Sequence, residues 1–231
     1  MANFFSATDD LFASLAVVDQ VAALISLPNA LAPANLPTTN AISCGVDVLL
    51  SGYFESFLKD IVEDFIGELN SLNKPLLSIP YEMRHKHFAS GAQALIWASK
   101  RDKKSNQTTN SEDLARRLAS LANPLNYELA WEAFADTKSN PGPDVVSAML
   151  KGLGIEKAWP EINGLVTAHG QLQTFLGVFI EMRNTCAHTG QHANPPTGQI
   201  ISDYTVKFRA LAECVDLVMG LKLDEFKALP P

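Results

Sequence analysis

Residues 41–70, AISCGVDVLLSGYFESFLKDIVEDFIGELN, carry the longest helical pattern in the chain. Apolar side chains recur there at every third or fourth position, at Val46, Leu50, Tyr53, Phe57, Ile61 and Phe65. On a helix with about 3.6 residues per turn, that spacing places them on one face. We expect the other face to carry most of the polar residues, namely Asp47, Ser51, Glu55, Lys59, Glu63 and Asp64. The stretch therefore predicts a long amphipathic helix with one buried side, which requires other elements packed against it.

The same apolar spacing predicts further helices on both sides of this stretch. We place them at residues 8–26, 81–101, 111–122, 144–153, 170–187 and 201–223. Thr8 is expected to cap the first of them. The segment 103–110, KKSNQTTN, has no apolar residue and is expected to be an exposed loop. Because no strand-like alternation of useful length occurs, the predicted fold class is all-α, a helical bundle with inserted short helices.

Three prolines separate the first two predicted helices, at positions 28, 33 and 37. Proline lacks a backbone N–H and clashes with the preceding helical turn, so residues 26–40 are predicted to be an extended connector. We therefore divide the chain into an N-terminal helix with its connector, residues 1–40, and a helical domain, residues 41–231. No other boundary is evident, and we expect the two parts to form one structural unit.

The composition is that of an ordinary globular protein. The 231 residues are 47% hydrophobic and 19% charged, with a formal net charge of −7. These values exclude a disordered chain, a collagen and a polybasic nucleic-acid coat. No continuous apolar run reaches the ~18 residues of a membrane span, and the first residues, MANFFSATDD, lack the basic region of a signal peptide. With only three cysteines, we expect a cytoplasmic protein without disulfides or membrane contact.

The residues best suited to chemistry lie in EMRNTCAHTG, residues 181–190, at the end of a predicted helix. Asn184 and His188 are four positions apart, so a helix places them on one face, one turn apart. Arg183 reaches the same small volume if the helix frays or bends near its end. A guanidinium can grip phosphate oxygens in a bidentate fork, and an imidazole exchanges protons near neutral pH. This set of side chains therefore suits a phosphodiester substrate.

Several other chemistries lack their motifs in this chain. There is no Gly-rich phosphate loop, no H-E-x-x-H and no C-x-x-C. His85 and His87 form an H-x-H pair, but Arg84 and Lys86 in the same stretch would repel a metal cation. We therefore predict neither a metal site nor a cofactor.

With these segments the chain resembles the HEPN superfamily over roughly residues 41–223. The string R-N-x-x-x-H stands at the end of the penultimate long helix, before a loop and a last amphipathic helix. The segments YFESFLKDIVEDF (53–65) and KGLGI (151–155) look like the bacterial HEPN ribonuclease branch found in toxin–antitoxin and phage-defence loci. One departure is Thr189, which separates the motif histidine from the glycine that often follows it directly in relatives.

The resemblance implies a metal-independent endoribonuclease that needs no cofactor and acts as a homodimer. Two protomers would face one cleft with two copies of Arg183, Asn184 and His188. The RNA 2′-hydroxyl would attack the adjacent phosphorus while His188 transfers a proton and Arg183 stabilises the phosphoryl charge. Asn184 would position His188 or the phosphate. Relatives share acidic residues on the early long helix, so Glu55 is predicted to be a supporting residue.

A basic segment suggests where RNA binds. Between residues 84 and 104 the cations are Arg84, Lys86, Lys100, Arg101, Lys103 and Lys104, against Asp102 alone among acidic residues. A local basic patch in an acidic protein favours selective RNA contact, and a solvated loop is the alternative.

Two other interpretations of the same family resemblance stay open at this point. The first is a catalytically silent HEPN-like subunit that serves as a binding module or scaffold. The second is a toxin that a nucleotidyltransferase silences by modification near the site. An antitoxin or other regulatory partner is compatible with the resemblance in each case.

Overall fold

A computed structural model of the chain describes residues 3–105, 109–123, 127–137, 140–165, 171–190 and 192–229. Its helices, in chain order, are α1 (Ser6–Ile25), α2 (Leu36–Ser71), α3 (Tyr81–Ser105), α4 (Thr109–Ser120), α5 (Pro143–Gly152), α6 (Ala158–Leu165), α7 (Leu172–Thr189) and α8 (Gly198–Ala228). Short 3₁₀ turns lie at Leu76–Ser78 and Trp131–Ala133. Within these ranges there is no strand, and the predicted all-α class is confirmed.

Helix α2 forms the centre of the bundle and packs against α1, α7 and α8. Leu50, Leu58 and Ile61 on this helix are completely buried. By length and composition alone, α2 is also long and apolar enough to cross a membrane. Of the 18-residue window of this helix with the highest hydropathy, 50% is buried inside the bundle. The predicted long amphipathic helix is thus present, and it begins five residues earlier than expected.

A cluster of aromatic rings joins α2, α7 and α8. Phe208 on α8 lies 4.8 Å from Phe179 and 5.2 Å from Phe175, both on α7, measured between ring centroids. Its centroid is also 5.1 Å from that of Phe54 on α2. Edge-to-face ring pairs of this kind add to the free energy gained from burial alone. Phe208 therefore fixes the position of α7, and with it the position of the candidate motif.

A buried carboxylate on α8 holds the start of α1. Asp216 accepts hydrogen bonds from the backbone N–H groups of Phe4 and Phe5, at 2.8 and 3.0 Å, and from the Thr8 hydroxyl at 2.9 Å. These two amides lie just before the helix, whose own first N–H groups also lack partners within it. One of those, the N–H of Ala7, donates to Asp64 Oδ2 at 3.2 Å. The predicted capping role of Thr8 is wrong, because the helix begins at Ser6 and Thr8 lies inside it.

The proline-rich connector is shorter than predicted and is not extended. Residues 36–40 belong to α2, with Pro37 in its first turn, where a missing N–H costs no helical hydrogen bond. Residues 26–35 form successive turns closed by backbone bonds, such as the 3.2 Å bond from Leu31 N to Leu27 O. Helix α6 was not predicted from the sequence.

The expected loop at 103–110 is wrong for most of its length. Lys103 and Lys104 lie in the last turn of α3, and α4 already begins at Thr109. Only residues 106–108 of this segment lie outside the described residues. The carboxylate of Asp102 accepts bonds from the backbone and hydroxyl of Ser111 and from the amide of Asn110. These bonds hold the first turn of α4 against the last turn of α3.

We expect Phe208→Ala to lower the free energy of unfolding by about 3–5 kcal/mol, because it opens a cavity among three helices. Urea unfolding followed by far-UV circular dichroism measures this loss. The matched control is Phe88→Ala, since Phe88 is 56% exposed, and its effect should stay within about 0.5 kcal/mol. Equal losses in both variants would contradict the role assigned to the aromatic cluster.

Candidate functional site

The candidate motif occupies the last two turns of α7, which stay regular to the end. Gly190 follows the helix with φ +65° in the left-handed region, and its N–H donates to Cys186 O at 2.9 Å. A glycine in this conformation is a common helix terminator. The extra Thr189 is helical, so His188 lies within the last turn. The fraying that would have brought Arg183 beside His188 does not occur.

Arg183 is half-buried and is oriented by its neighbour in sequence. Its Nη1 donates to Asn184 Oδ1 at 3.1 Å, and its Nε is buried without a hydrogen-bond partner. The Nη2 group makes no hydrogen bond within the described part of the chain. Asn184 thus positions the guanidinium rather than the imidazole of His188, to which it makes no hydrogen bond.

His188 is exposed and makes no hydrogen bond to any described residue. Because each residue turns the helix by about 100°, His188 lies about 140° around α7 from Arg183. Viewed along the helix axis, Asn184 lies between Arg183 and His188. Along the axis, it lies one turn before His188. The structure therefore brings Arg183 and Asn184 together and leaves His188 on the outer face.

Glu55 on α2 lies in electrostatic contact with the motif. Its carboxylate accepts hydrogen bonds from Lys59 at 2.6 Å and from Thr137 at 2.8 Å, and its side chain is 19% exposed. Burial favours the neutral acid, but these hydrogen bonds and the charges of Lys59 and Arg183 together lower the pKa of Glu55. Glu55 therefore carries a negative charge that balances Arg183, and its supporting role stays a prediction.

Beneath the motif lies a buried polar layer that the sequence did not indicate. Cys186 Sγ lies 2.9 Å from Cys44 Sγ and 3.9 Å from Asp47 Oδ2, both on α2. Asp47 is completely buried, and its Oδ1 has no hydrogen-bond partner. Burial raises the pKa of Asp47 to about 7, although the Cys186 contact opposes this rise. The prediction that Asp47 and Ser51 lie on a polar outer face is wrong, since both are buried.

The six predicted RNA-binding cations form two groups rather than one patch. Four of them, Lys100, Arg101, Lys103 and Lys104, are exposed near the end of α3. Arg84 and Lys86 are half-buried and lie about 20–30 Å away along the helix, since each residue adds about 1.5 Å. Arg84 Nε donates to Ile79 O at 3.1 Å. An aromatic ring lies beside the exposed group. Lys100 Nζ is 5.3 Å from the ring centroid of Trp97, which is 58% exposed.

The model of one protein family, RiboL-PSP-HEPN, matches residues 29–220. The match includes α2, the motif on α7 and most of α8, and it starts earlier than the predicted resemblance over 41–223. No curated protein and no solved structure matches the chain.

We expect Asp47→Asn to change the pH dependence of stability. Aspartate in the unfolded chain ionises near pH 4, whereas folded Asp47 keeps its proton up to about pH 7. The wild type therefore loses stability as the pH rises from 4 to 7, and the asparagine variant lacks this loss. From pH 5 to pH 8 the variant should gain up to a few kcal/mol relative to the wild type, at about 1.4 kcal/mol per pKa unit.

Urea unfolding at the two pH values measures this difference. The control is Glu181→Gln, which removes an exposed carboxylate from the same region of α7 and should follow the wild type. Parallel pH dependence of the wild type and Asp47→Asn would contradict the buried ionisation.

Proposed function

The chain belongs to the RiboL-PSP-HEPN family, and we propose that it is a metal-independent endoribonuclease that cleaves RNA through its 2′-hydroxyl. It acts in the cytoplasm as a homodimeric toxin or phage-defence effector. The observation that carries the proposal is the end of α7, where Arg183 is positioned by Asn184 and an exposed His188 follows in the last turn.

The environment of Arg183 supports a role in binding the phosphoryl group. The Asn184 oxygen fixes the guanidinium on one side, and Glu55 lies close enough for the Arg183 charge to lower the pKa of its carboxylate. Arg183 Nη2 is left to donate to phosphate oxygens. Fixed donors aimed at developing charge stabilise a transition state because they need no reorganisation during the reaction.

The exposure of His188 supports a role in proton transfer. An unbonded imidazole on the outer face of α7 is accessible to a 2′-hydroxyl or to the leaving 5′-oxygen. Proton transfer of this kind typically contributes 10²–10⁴-fold to the rate. Because a single α7 holds Arg183 and His188 about 140° apart, two helices in one cleft supply the complete set more readily than one.

The outer face of α7 supports the homodimer. Thr174, Val178, Glu181, Thr185 and His188 are exposed and recur at alternating spacings of four and three residues. That spacing places them in one straight stripe, as in helices that pack along their length. Val178 is 56% exposed in a single chain, and the threonines are small enough to let two helices approach closely. The stripe ends at His188, so this packing would bring two such imidazoles toward one cleft.

We expect Arg183→Ala and His188→Ala each to slow RNA cleavage at least 100-fold in the presence of EDTA. The products should carry 2′,3′-cyclic phosphate and 5′-hydroxyl ends, and DNA should not be cleaved, since it lacks the 2′-hydroxyl. His85→Ala, which removes another exposed imidazole, should stay within about threefold of the wild type. Gel analysis of labelled RNA and its end groups measures the outcome.

Equal activity of the wild type and both motif variants would contradict the proposal. A purified protein that neither cleaves RNA nor harms cells expressing it would favour the silent HEPN-like subunit.

We further propose that the exposed cations at the end of α3 contact the RNA backbone. The double variant Lys100→Glu and Lys103→Glu should weaken RNA binding and lower the slope of log Kd against log salt by about 0.7 per lost phosphate contact. Binding is measured in a His188→Ala background, which keeps the RNA intact. Lys157→Glu reverses an exposed lysine on another part of the surface and serves as the control. If the double variant has the same salt slope as the wild type, these lysines are solvated and do not contact the RNA backbone.

A further inference from the structure

A cavity of about 410 Å³ opens beside the end of α7. One wall is the turn before α2 and the first turns of that helix, with Pro33, Leu36, Pro37 and Asn40. The opposite wall is Gly190 and His192, directly after the motif. Both walls lie within residues 29–220, the span that the family model matches. The volume is in the range of small-molecule sites.

The cavity lies next to the candidate motif. Gly190 is two residues after His188, and two residues span at most about 7 Å. A phosphodiester held at His188 would therefore have a neighbouring nucleoside within reach of this cavity.

The lining suits a flat, uncharged ligand with polar edges. Pro33, Pro37 and Leu36, which is 42% exposed, supply apolar walls. The Asn40 amide makes no hydrogen bond to any described residue, so its donor and its acceptor are both available. His192 Nδ1 is held 2.7 Å from Asn194 O and 3.0 Å from Asn194 N, which orients the ring and leaves Nε2 without a hydrogen bond to the described residues.

The same lining argues against a phosphate site. Among the described residues that line the cavity there is neither a lysine nor an arginine. Unpaired RNA bases are bound instead by flat side chains at their faces and by hydrogen bonds at their edges. An asparagine amide pairs a donor and an acceptor with the amino group and ring nitrogen of adenine.

We propose that this cavity binds an unpaired base next to the scissile phosphate and that Asn40 reads its edge, with adenine preferred. The inference rests on the proposed ribonuclease function, which it extends by a specificity pocket. His192 and the proline rings hold the base, and Asn40 discriminates among bases.

The test uses the full-length protein and DNA oligonucleotides that carry a single ribonucleotide, so that only one linkage can be cleaved. The base on each side of that linkage is varied in turn among adenine, cytosine, guanine and uracil. We expect adenine on one side to raise kcat/KM about tenfold or more. Asn40→Ala should remove this preference by lowering kcat/KM on the adenine substrate toward that of the other substrates.

Thr38→Ala, an exposed change in the same part of α2, should keep the preference and controls for local disturbance. Because the Asn40 side chain makes no hydrogen bond to the described residues, Asn40→Ala should also unfold at the same urea concentration as the wild type. Equal cleavage of all substrates by the wild type, or an unchanged preference in Asn40→Ala, would overturn the specificity pocket while the nuclease stands.

If no oligonucleotide is cleaved, the proposed function fails, and the cavity is tested by NMR titration with adenosine 5′-monophosphate. Shifts of the Gly190 and His192 signals that Asn40→Ala abolishes would support a base site in its own right. Equal shifts in both proteins, or none, would overturn the inference.

Discussion

The packing of α7 across α2 determines where every residue of the candidate site lies. Cys186 is buried in this contact beside Cys44 and Asp47, and Phe179, on the same inward side of α7, packs against Phe208 of α8. Arg183 lies on the edge of that side, which brings its charge close to Glu55. Asn184, which is half-buried, and His188, which is exposed, lie farther around the helix. One helix contact thus holds the guanidinium in place and leaves the imidazole accessible.

The sequence predicted best the helices whose apolar residues recur regularly at every third or fourth position. The long helix α2, the end of α7 and the last helix all follow from that spacing. The errors arose where a tertiary contact overrides composition. Asp47 and Ser51 are polar and yet buried, because α7 covers a second side of α2 that hydrophobic periodicity does not reveal. Lys103 and Lys104 are helical because Asp102 bonds to the next helix and holds the two helix ends together.

The site could be located from its motif, but its hydrogen bonds could not be derived from spacing. Asn184 and His188 are one turn apart, which is the pairing that helical geometry favours. The Asn184 oxygen instead accepts from Arg183, and a charged donor makes the stronger hydrogen bond. Asn40 and Gly190 are separated by 150 positions in the chain, so their shared cavity is a product of the fold alone.

Asp47, the buried carboxylate under the motif, has fewer hydrogen-bond partners than Asp102 and Asp216, the other buried aspartates that the structure describes. Asp102 and Asp216 also have little exposed surface, and each accepts at least three hydrogen bonds. Within the described part of the chain, Asp47 accepts a hydrogen bond only from the Cys186 thiol, and one of its oxygens has no partner. Arg183 Nε, on the same α2–α7 contact, is buried without a partner as well. Unsatisfied buried groups cost stability, and proteins retain them chiefly where function requires it. Asp47 and Arg183 thus place unsatisfied polar atoms on both sides of the α2–α7 contact, as His87, Asn140 and Asn163 do elsewhere in the described chain. The packing at the end of α7 therefore gives up stability to hold these two groups.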